Sequence, residues 1–321
     1  MSVVLTSYNY ATFLPAALEA LAAQTRPPDE LIVVDDHSSD DSVAVITSFL
    51  GRFADGRLAQ NKSNLGTIAN LNRGLELARG TVVFFAAADD IAYPTLLERG
   101  MGLFEAHPNA ALFSARSDII DVRGERESTL ATATPLRQPG FLGPDAVARQ
   151  LMHDDNWLTG NTTLYRRDAL LNVGGFAAEL GSFCDGYVSR LLALRHGACF
   201  SPEVLGAWRR HAGGYAWSQT ADWERTQALV AAVRHRIETD GVFPPGYAHR
   251  WAQRYLFGAR RFALARKSEA ARSRGTFALG WARAREVAAS LALFAAYRPW
   301  DFATVARRRL AAWRRPPADP T

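Results

Sequence analysis

Two adjacent aspartates, Asp89 and Asp90, follow an apolar run and are the first residues of this chain suited to chemistry. The run, residues 81–85, predicts a buried strand that leads into the two carboxylates. Neighbouring carboxylates there are costly to ionise unless a cation or hydrogen bonds compensate them. A hard divalent ion would do so, because Mg²⁺ is commonly held by one or two carboxylates together with phosphates. A helix N-cap before Pro94 is the alternative, and a second acidic strand end favours the ion site.

That second acidic pair, Asp35 and Asp36, ends the apolar run of residues 30–34. A carboxylate at this place can accept hydrogen bonds from a nucleobase or a ribose. Capping of the following helix is the alternative, and it accounts for Ser39 or Asp40 better than for the acidic pair.

The first apolar run, residues 2–6, ends in Thr6, Ser7, Tyr8 and Asn9. The ring of Tyr8 is able to stack on a nucleobase, although a lone aromatic residue is more often a packing residue. Between the two acidic pairs, residues 64–66 and 72–74 supply the amide groups of Asn64 and Asn72. Ordinary turn and capping roles are at least as well supported for these two segments.

Two further polar segments lie later in the chain. Asp185 precedes a predicted helix, residues 187–195, and would be a general base if it reaches an acceptor hydroxyl. An N-cap role for this aspartate is equally supported. The segment Arg209–His211 would contact a diphosphate, with the guanidinium groups of its arginines forming paired hydrogen bonds. A solvated basic turn is the simpler alternative.

A repeating strand–helix pattern must position these residues. We predict strands at residues 2–6, 30–34, 57–61, 81–85, 110–114 and 161–165, and helices at 11–23, 41–50, 68–79, 94–106 and 187–195. The repeats favour an α/β fold with a mostly parallel sheet and helices on both faces, in which ligands bind at the carboxyl ends of the strands. Residues 123–144 predict a long binding or lid loop, and the pattern after about residue 215 is helical.

Composition bounds the class of protein. The chain of 321 residues is 48% hydrophobic, which suits a folded protein with one large domain or a large and a smaller one. Its two cysteines are too few for a disulfide framework or a four-ligand zinc site, and they fit a reducing cytoplasmic setting. The first residues read directly as a strand, so we expect no signal peptide. The apolar stretch 276–297 contains three charged residues, which argues against a membrane-spanning helix.

The formal net charge of +5 is unevenly distributed. Residues 250–321 hold 16 basic and 4 acidic side chains, whereas the rest of the chain has a net charge of −7. Near the end, basic residues 307–309 and 314–315 flank Leu310 and Trp313, a pattern that suits an anionic membrane surface. A helical cap on the preceding domain or a contact in a homo-oligomer is the better supported alternative. Nucleic acid is disfavoured, because no recognised reading module accompanies the charge.

Taken together and in this order, the polar segments resemble the family 2 glycosyltransferases with the GT-A fold. The matching segments are Thr6–Asn9, Val34–Asp40, Asn64–Gly66, Asn72–Gly74, Ala88–Asp90, Asn161–Thr162, Tyr165–Arg167, Gly174–Phe176, Asp185 and Trp208–His211. The resemblance covers about residues 1–215 and implies a catalytic domain with a Rossmann-like sheet, its nucleotide-sugar part reaching to about 115 and its acceptor part following. Residues 216–321 then form a basic helical C-terminal region.

The resemblance also implies a reaction: inverting transfer of a sugar from a nucleotide-diphosphate sugar, often UDP-linked, with Mg²⁺ or Mn²⁺. The acceptor is expected to be a hydroxyl of a glycan or lipid-linked molecule, in cell-surface polysaccharide synthesis on the cytoplasmic side of the membrane. The implied donor-binding positions are Thr6, Ser7, Tyr8, Asn9, Asp35, Asp36, Asn64, Gly66, Asn72, Ala88, Asp89, Arg209 and His211. Asp89 and Asp90 are the implied metal ligands, and Asp185 is the implied general base.

Two positions depart from the family's pattern. Ala87 stands where the family's Asp-x-Asp motif has its first aspartate, which bears on the ribose contacts of the donor and on metal affinity. Cys184 replaces an acidic neighbour of the base, so the upward pressure on the pKa of Asp185 is smaller. A non-catalytic sugar-nucleotide-binding or scaffold protein with the same fold is therefore the alternative. A nicotinamide-dependent oxidoreductase is excluded, because the first turn lacks Gly-x-Gly-x-x-Gly.

Overall fold

The computed structural model describes residues 1–211, 213–215 and 223–272, with side chains as far as residue 260. The predicted membrane-facing segment with basic residues 307–309 and 314–315 lies outside the described residues, as does the apolar stretch 276–297. Among the residues that are described, no helix combines the length and the apolarity that crossing a membrane requires.

The described strands join in one mixed sheet. They are β1 Ser2–Ser7, β2 Glu30–Asp35, β3 Gly56–Gln60, β4 Val82–Ala87, β5 Ile91–Ala92, β6 Leu112–Ile120, β7 Arg126–Thr129, β8 Gly140–Leu142, β9 Leu164–Arg166 and β10 Ala198–Arg209. The sheet runs in the order β3-β2-β1-β4-β9-β6-β10-β5, and β7 and β8 pair with β6 and β10. The first four strands in this order are parallel. β9 is antiparallel to both of its neighbours and so joins this half to the parallel pair of β6 and β10.

Helices cover both faces of the sheet. They are α1 Leu14–Ala22, α2 Ser42–Leu50, α3 Thr67–Leu77, α4 Leu96–Ala106, α5 Pro144–His153, α6 Arg167–Asn172, α7 Cys184–His196, α8 Trp223–Thr239 and α9 Tyr247–Arg272. Successive residues of a strand point to opposite faces. Accordingly Val4 belongs to an apolar cluster with α3, α5 and α7, whereas Val3 and Leu5 belong to a second cluster with α1, α2 and α4. The continuous apolar runs of the sequence follow from this two-sided burial.

The predicted fold class is confirmed, two local predictions are corrected, and one strand was not predicted. The segment predicted as a loop, 123–144, contains the short strands β7 and β8. The strand predicted at 161–165 is a 3₁₀ turn, Gly160–Thr162, followed by β9. Sequence reasoning missed β10, because Pro202 interrupts the apolar pattern; the strand accommodates this proline with register shifts between Ser201 and Gly206.

The described part of the C-terminal region packs on the sheet domain. Val230 and Val233 of α8, with Tyr247 and Trp251 of α9, lie in the same apolar cluster as Leu191 of α7. Residues 223–260 therefore share the core of the preceding domain.

Helix α3 approaches β1 closely at Gly74. An added Cβ at Gly74 would lie 2.2 Å from Cγ1 of the buried Val4, so a side chain larger than hydrogen would force the helix away. Gly102 in α4, by contrast, has no atom within 4 Å of the same position.

We therefore expect Gly74→Ala to lower the free energy of unfolding by about 1–3 kcal/mol, because overpacking displaces α3 from the sheet. Gly102→Ala is the matched control, and it should raise that free energy by roughly 0.5–1 kcal/mol through the greater helix propensity of alanine. Urea denaturation measures both. Equal effects of the two substitutions would contradict the packing described here.

Candidate active site

The carboxyl ends of β1, β2 and β4 open into one cleft of about 470 Å³. Of the residues predicted from sequence, twelve line it: Thr6, Ser7, Tyr8, Asp36, Asn64, Gly66, Ala88, Asp89, Asp90, Asp185, Arg209 and His211. The tertiary structure thus brings Asp185, from the far half of the chain, into the same cleft as the acidic strand ends.

Three predicted residues do not line the cleft, because partners within the protein use their polar atoms. Asn9, in the left-handed region at φ 55°, accepts a hydrogen bond from the Ser39 amide at 2.8 Å. The fully buried Asp35 accepts from the backbone amide and the hydroxyl of Ser38. The Asn72 side chain exchanges two hydrogen bonds of 2.8 Å with the backbone of Phe176. These contacts give the three residues positioning roles around the cleft.

Asp36 organises the loop at one wall of the cleft. One carboxylate oxygen, Oδ1, accepts from the Leu65 amide at 2.8 Å and the Asn61 side chain at 2.7 Å, and Oδ2 accepts from the Gly66 amide at 2.8 Å. Burial opposes its charge, but these donors outweigh burial and hold the pKa of Asp36 below its usual value. Gly66 has φ 88°, a left-handed conformation that favours glycine, so the loop can turn its amides toward the carboxylate.

Asp89 is tied to residues from two other segments. Its Oδ2 lies 2.8 Å from Nε2 of His211, 122 positions away in the chain, and both side chains are largely buried. The Tyr10 phenol lies near the same carboxylate, and burial together with the charge of Asp89 raises its pKa. The Tyr10 ring also meets the His211 ring edge-on, with centroids 5.9 Å apart.

Asp90 and Arg209 form the next layer. The Asp90 carboxylate accepts from the Arg209 backbone amide at 2.9 Å, and burial together with the charge of Asp89 raises the pKa of Asp90 well above its usual value. The Arg209 guanidinium donates to the carbonyl oxygens of Asp89 and Asp121 at 2.8 Å, and lies over the ring of Phe13. It is thus a buried clamp on the acidic turn rather than the solvated basic turn considered as an alternative.

Asp185 lies in the first turn of α7 and also lines the cleft. Phe183, rather than Asp185, occupies the N-cap position of that helix. Burial raises the pKa of Asp185, while the Gly186 amide at 2.7 Å and the charge of Arg190 oppose the rise. A carboxylate whose pKa is moved toward neutrality is suited to taking up a proton.

Sequence reasoning missed several residues of the cleft. Tyr10 is adjacent to a predicted segment and could have been included with it. Asn156 and Thr159 line the cleft from a segment whose local pattern carries no distinctive signal, and Asn161 lies in a segment that matched the family pattern but was given no role. Phe85 and Phe176 line it as a perpendicular aromatic pair 4.9 Å apart, and they come from elements that only the fold brings together.

The described residues contain no group of three or more His, Cys, Asp or Glu side chains arranged to hold a metal ion. The pair of Asp89 and His211 nevertheless offers a carboxylate oxygen and an imidazole nitrogen, both lining the cleft. A carboxylate oxygen suits Mg²⁺ or Mn²⁺ when phosphate oxygens complete the coordination, and a neutral imidazole nitrogen is a common metal ligand. The residues present therefore fit the predicted ion.

Comparison with known proteins places the chain in a family. A family model described as glycosyl transferase family 2 matches residues 2–174, more than half of the chain. The chain belongs to this family. The predicted glycosyltransferase activity is thereby confirmed at the level of the enzyme class. An uncharacterized protein of Mycobacterium tuberculosis is 32% identical to this transferase over 243 residues, which are 74% of this chain and 72% of the relative.

Solved structures support the GT-A type of fold for this transferase. Residues 1–349 of Staphylococcus aureus TarS, crystallised in complex with UDP-GlcNAc, align with a TM-score of 0.60 and 18% identity, over 79% of this chain and 71% of that chain. The mannosyltransferase PcManGT from Pyrobaculum calidifontis, in complex with GDP-Man and Mn²⁺, aligns with a TM-score of 0.60 and 22% identity, over 93% and 82% of the two chains. At these identities the likeness concerns the fold alone.

The Asp36 loop yields a prediction for stability and binding. In Asp36→Asn one carboxylate oxygen is replaced by an NH₂ group, which faces the backbone amide of Leu65 or Gly66. Both groups are donors, so at least one buried hydrogen bond is lost. We expect the free energy of unfolding to fall by about 1–3 kcal/mol. Nucleotide affinity should fall as well, because the loop lines the cleft. Urea denaturation and calorimetry with UDP measure the two effects.

Asp41→Asn is the matched control for this prediction. Asp41 stands at the start of α2, is exposed, and makes no capping hydrogen bond through its side chain. The control should leave both measurements near wild type. If Asp36→Asn behaves in the same way, the carboxylate does not hold the loop.

Proposed function

We propose that this glycosyltransferase moves a sugar with inversion from a UDP-linked donor to a hydroxyl of a glycan or lipid-linked acceptor. One observation carries the proposal: Asp89, at the end of a buried strand, and Asp185, with its pKa raised by burial, line the same cleft. A donor bound along the strand ends would have its anomeric carbon between these two groups. We further propose that the reaction serves cell-surface polysaccharide synthesis on the cytoplasmic side of the membrane.

The nucleoside would lie against the ends of β1 and β2. Tyr8 is 46% exposed at the cleft, and so has a ring face available for a base. Ser7 supports the same assignment, because its hydroxyl is buried in the lining without a hydrogen-bond partner. Thr6, Asn64 and Gly66 line the same end and are proposed donor contacts.

The diphosphate would lie at the acidic turn. Asp89 and His211 would hold Mn²⁺ or Mg²⁺, with Asp90 supporting the turn, and the bound ion would stabilise the negative charge that develops on the leaving diphosphate. PcManGT is titled as a complex with Mn²⁺, which supports the proposed use of an ion in this fold. Ala88 lines the cleft beside Asp89 and leaves room for the phosphates.

Asp185 would act on the acceptor. As the acceptor oxygen forms its bond to the anomeric carbon, the bond from that carbon to the donor phosphate breaks, and the acceptor proton passes to the Asp185 carboxylate. The carboxylate must be ionised beforehand, and its pKa must be high enough to take the proton. Attack from the side opposite the leaving diphosphate inverts the configuration.

A thermal-stabilisation screen tests the proposed donor. UDP-glucose, UDP-GlcNAc and GDP-mannose are compared with and without Mn²⁺. At 100 times its dissociation constant a bound donor adds about 2.7 kcal/mol to the free energy of unfolding, so the midpoint should rise by several degrees. We expect a rise for a UDP-sugar that depends on Mn²⁺. A rise with GDP-mannose alone would show that the donor nucleoside is guanosine rather than the proposed uridine. No rise with any donor would contradict the proposal.

The role of the acidic turn is tested by Asp89→Ala. We expect Mn²⁺-dependent affinity for UDP to fall by at least roughly tenfold, because the ion loses its carboxylate ligand. Asp168→Ala is the matched control, since Asp168 is exposed on α6, away from the cleft. Calorimetry with UDP and Mn²⁺ measures both variants. Unchanged Mn²⁺-dependent binding in Asp89→Ala would contradict the assignment.

The role of the base is tested by Asp185→Asn. This variant should lose transfer and nucleotide release, because the amide cannot accept the acceptor's proton, while UDP binding stays near wild type. Calorimetry is run beside an assay of the UDP released from the donor found in the screen. Turnover near that of the wild type would exclude Asp185 as the base.

A non-catalytic role in sugar-nucleotide binding is the second candidate. Ala87 favours it, because this position lines the cleft without the carboxylate of the Asp-x-Asp motif. A protein that binds a UDP-sugar but releases no UDP, with either water or an added glycan as acceptor, would support this candidate.

A further inference from the structure

A buried ionic cluster lies behind the acceptor side of the cleft. Asp155 is its centre: Arg254 of α9 lies 3.0 Å from Oδ1, and the Tyr247 hydroxyl donates to Oδ2 at 3.0 Å. Arg190 of α7 donates to the Asp155 carbonyl oxygen at 2.8 Å. These four residues, Asp155, Arg190, Tyr247 and Arg254, are called the Asp155 cluster below. The side chains of its three charged members are at most 8% exposed.

The charges of the cluster do not balance by themselves. Two guanidinium groups face one carboxylate, and Nε of Arg190 is 3.9 Å from it, beyond hydrogen-bond distance. A buried cation that is not compensated is costly, so a second negative charge is needed nearby. Among the described residues, Asp185 supplies it, one helical turn before Arg190.

Hydrogen bonds connect Arg190 to the same turn. Its Nη1 donates to the Gly186 carbonyl oxygen at 2.7 Å, and the Gly186 amide donates to Oδ1 of Asp185 at 2.7 Å. The guanidinium therefore fastens the first turn of α7, whose glycine leaves room for it: an added Cβ at Gly186 would lie 3.2 Å from Nη1 of Arg190. Movement of Arg190 would move the segment that carries Asp185.

We propose that Arg190 is a positioning residue for Asp185, and that α9 holds Arg190 in place through Asp155. Tyr247 and Arg254 supply the two contacts from α9, so docking of this C-terminal helix is part of assembling the acceptor side. The inference rests on the proposed role of Asp185 as the base.

The other titratable groups around Asp185 are neutral at ordinary pH. Tyr165 of β9, Tyr255 of α9 and Tyr215 face it, and burial raises the pKa of each phenol. Burial likewise raises the pKa of the Cys184 thiol. Arg190 is thus the charged partner of Asp185 among the described residues, and its positive charge favours the carboxylate form against the effect of burial.

The sign of this interaction gives a test that needs no substrate. In Arg190→Gln the positive charge is lost, so Asp185 should titrate at higher pH than in the wild type. In Asp155→Asn the cluster loses its negative charge, and the excess positive charge should move the titration of Asp185 to lower pH. A purely structural role would not shift the two variants in opposite directions. Arg195→Gln is the matched control, because Arg195 is exposed at the end of the same helix.

The experiment is a pH titration of the full chain labelled with ¹³C in its aspartate carboxyl groups. The Asp185 resonance is assigned by its absence in Asp185→Asn. Opposite shifts in Arg190→Gln and Asp155→Asn, with no shift in Arg195→Gln, support the proposal. Unchanged midpoints in the first two variants overturn it. Should Arg190→Gln fail to fold, Asp155→Asn decides alone, and a midpoint that is unchanged or raised overturns the proposal.

A second measurement separates this inference from the proposed function. UDP release from UDP-GlcNAc with Mn²⁺ is followed against pH, and Arg190→Gln should lose most activity at acidic pH and recover toward wild type as the pH rises. If Asp185→Asn remains active, the base assignment fails whatever the titration shows. If Asp185→Asn is inactive while Arg190→Gln keeps the wild-type titration midpoint and pH profile, the inference about Arg190 alone fails.

Discussion

Carboxylates held at the ends of buried strands need compensating donors, and the cleft is built around that requirement. The negative charge of Asp36 is stabilised by two loop amides and the side chain of Asn61, and these hydrogen bonds hold the loop at one wall of the cleft. The Asp90 carboxyl group accepts a hydrogen bond from the backbone amide of Arg209, and the Arg209 side chain donates to the Asp89 carbonyl oxygen in the same turn. The donors around Asp36 hold its pKa below the usual value, whereas burial and the charge of Asp89 raise the pKa of Asp90 despite its hydrogen bond from Arg209. Each of these acidic side chains is therefore hydrogen-bonded to a segment distant along the chain, and those segments form walls of the cleft.

The sheet explains why the two sides of the cleft carry different chemistry. Parallel strands β1, β2 and β4 end together, which concentrates polar side chains and amides where a nucleotide is proposed to bind. The antiparallel β9 then turns the chain, so that α7 brings Asp185 to the cleft from the other half. Donor and acceptor groups can therefore be held by separate elements. The apolar cluster shared by α7, α8 and α9 makes the C-terminal helices part of the proposed acceptor side.

The family match covers only part of the residues that carry the proposed chemistry. The matched residues 2–174 establish a glycosyltransferase but end before Asp185, His211 and three members of the Asp155 cluster: Arg190, Tyr247 and Arg254. Those later residues carry the proposed base, the proposed second ion ligand and the proposed positioning network. Contacts within the fold support these proposed roles: Asp89 lies 2.8 Å from His211 at the proposed ion site, and Asp155 is linked through Arg190 to the turn of Asp185 at the proposed acceptor site.

The sequence alone determined the alternation of strands and helices, the mostly parallel sheet, and the polar strand ends near Tyr8, Asp36 and Asp89, because apolar runs and turn residues act locally. The tertiary structure decided which of these polar atoms are available. Asn9, Asp35 and Asn72 have the right residue types, yet the backbone of other segments uses their polar atoms. It also decided that His211 meets Asp89 and that α9 supports Arg190. The hydrogen-bond partners of these side chains are distant along the chain, and the spacing of residues in the sequence does not indicate which distant segments lie close together in the fold.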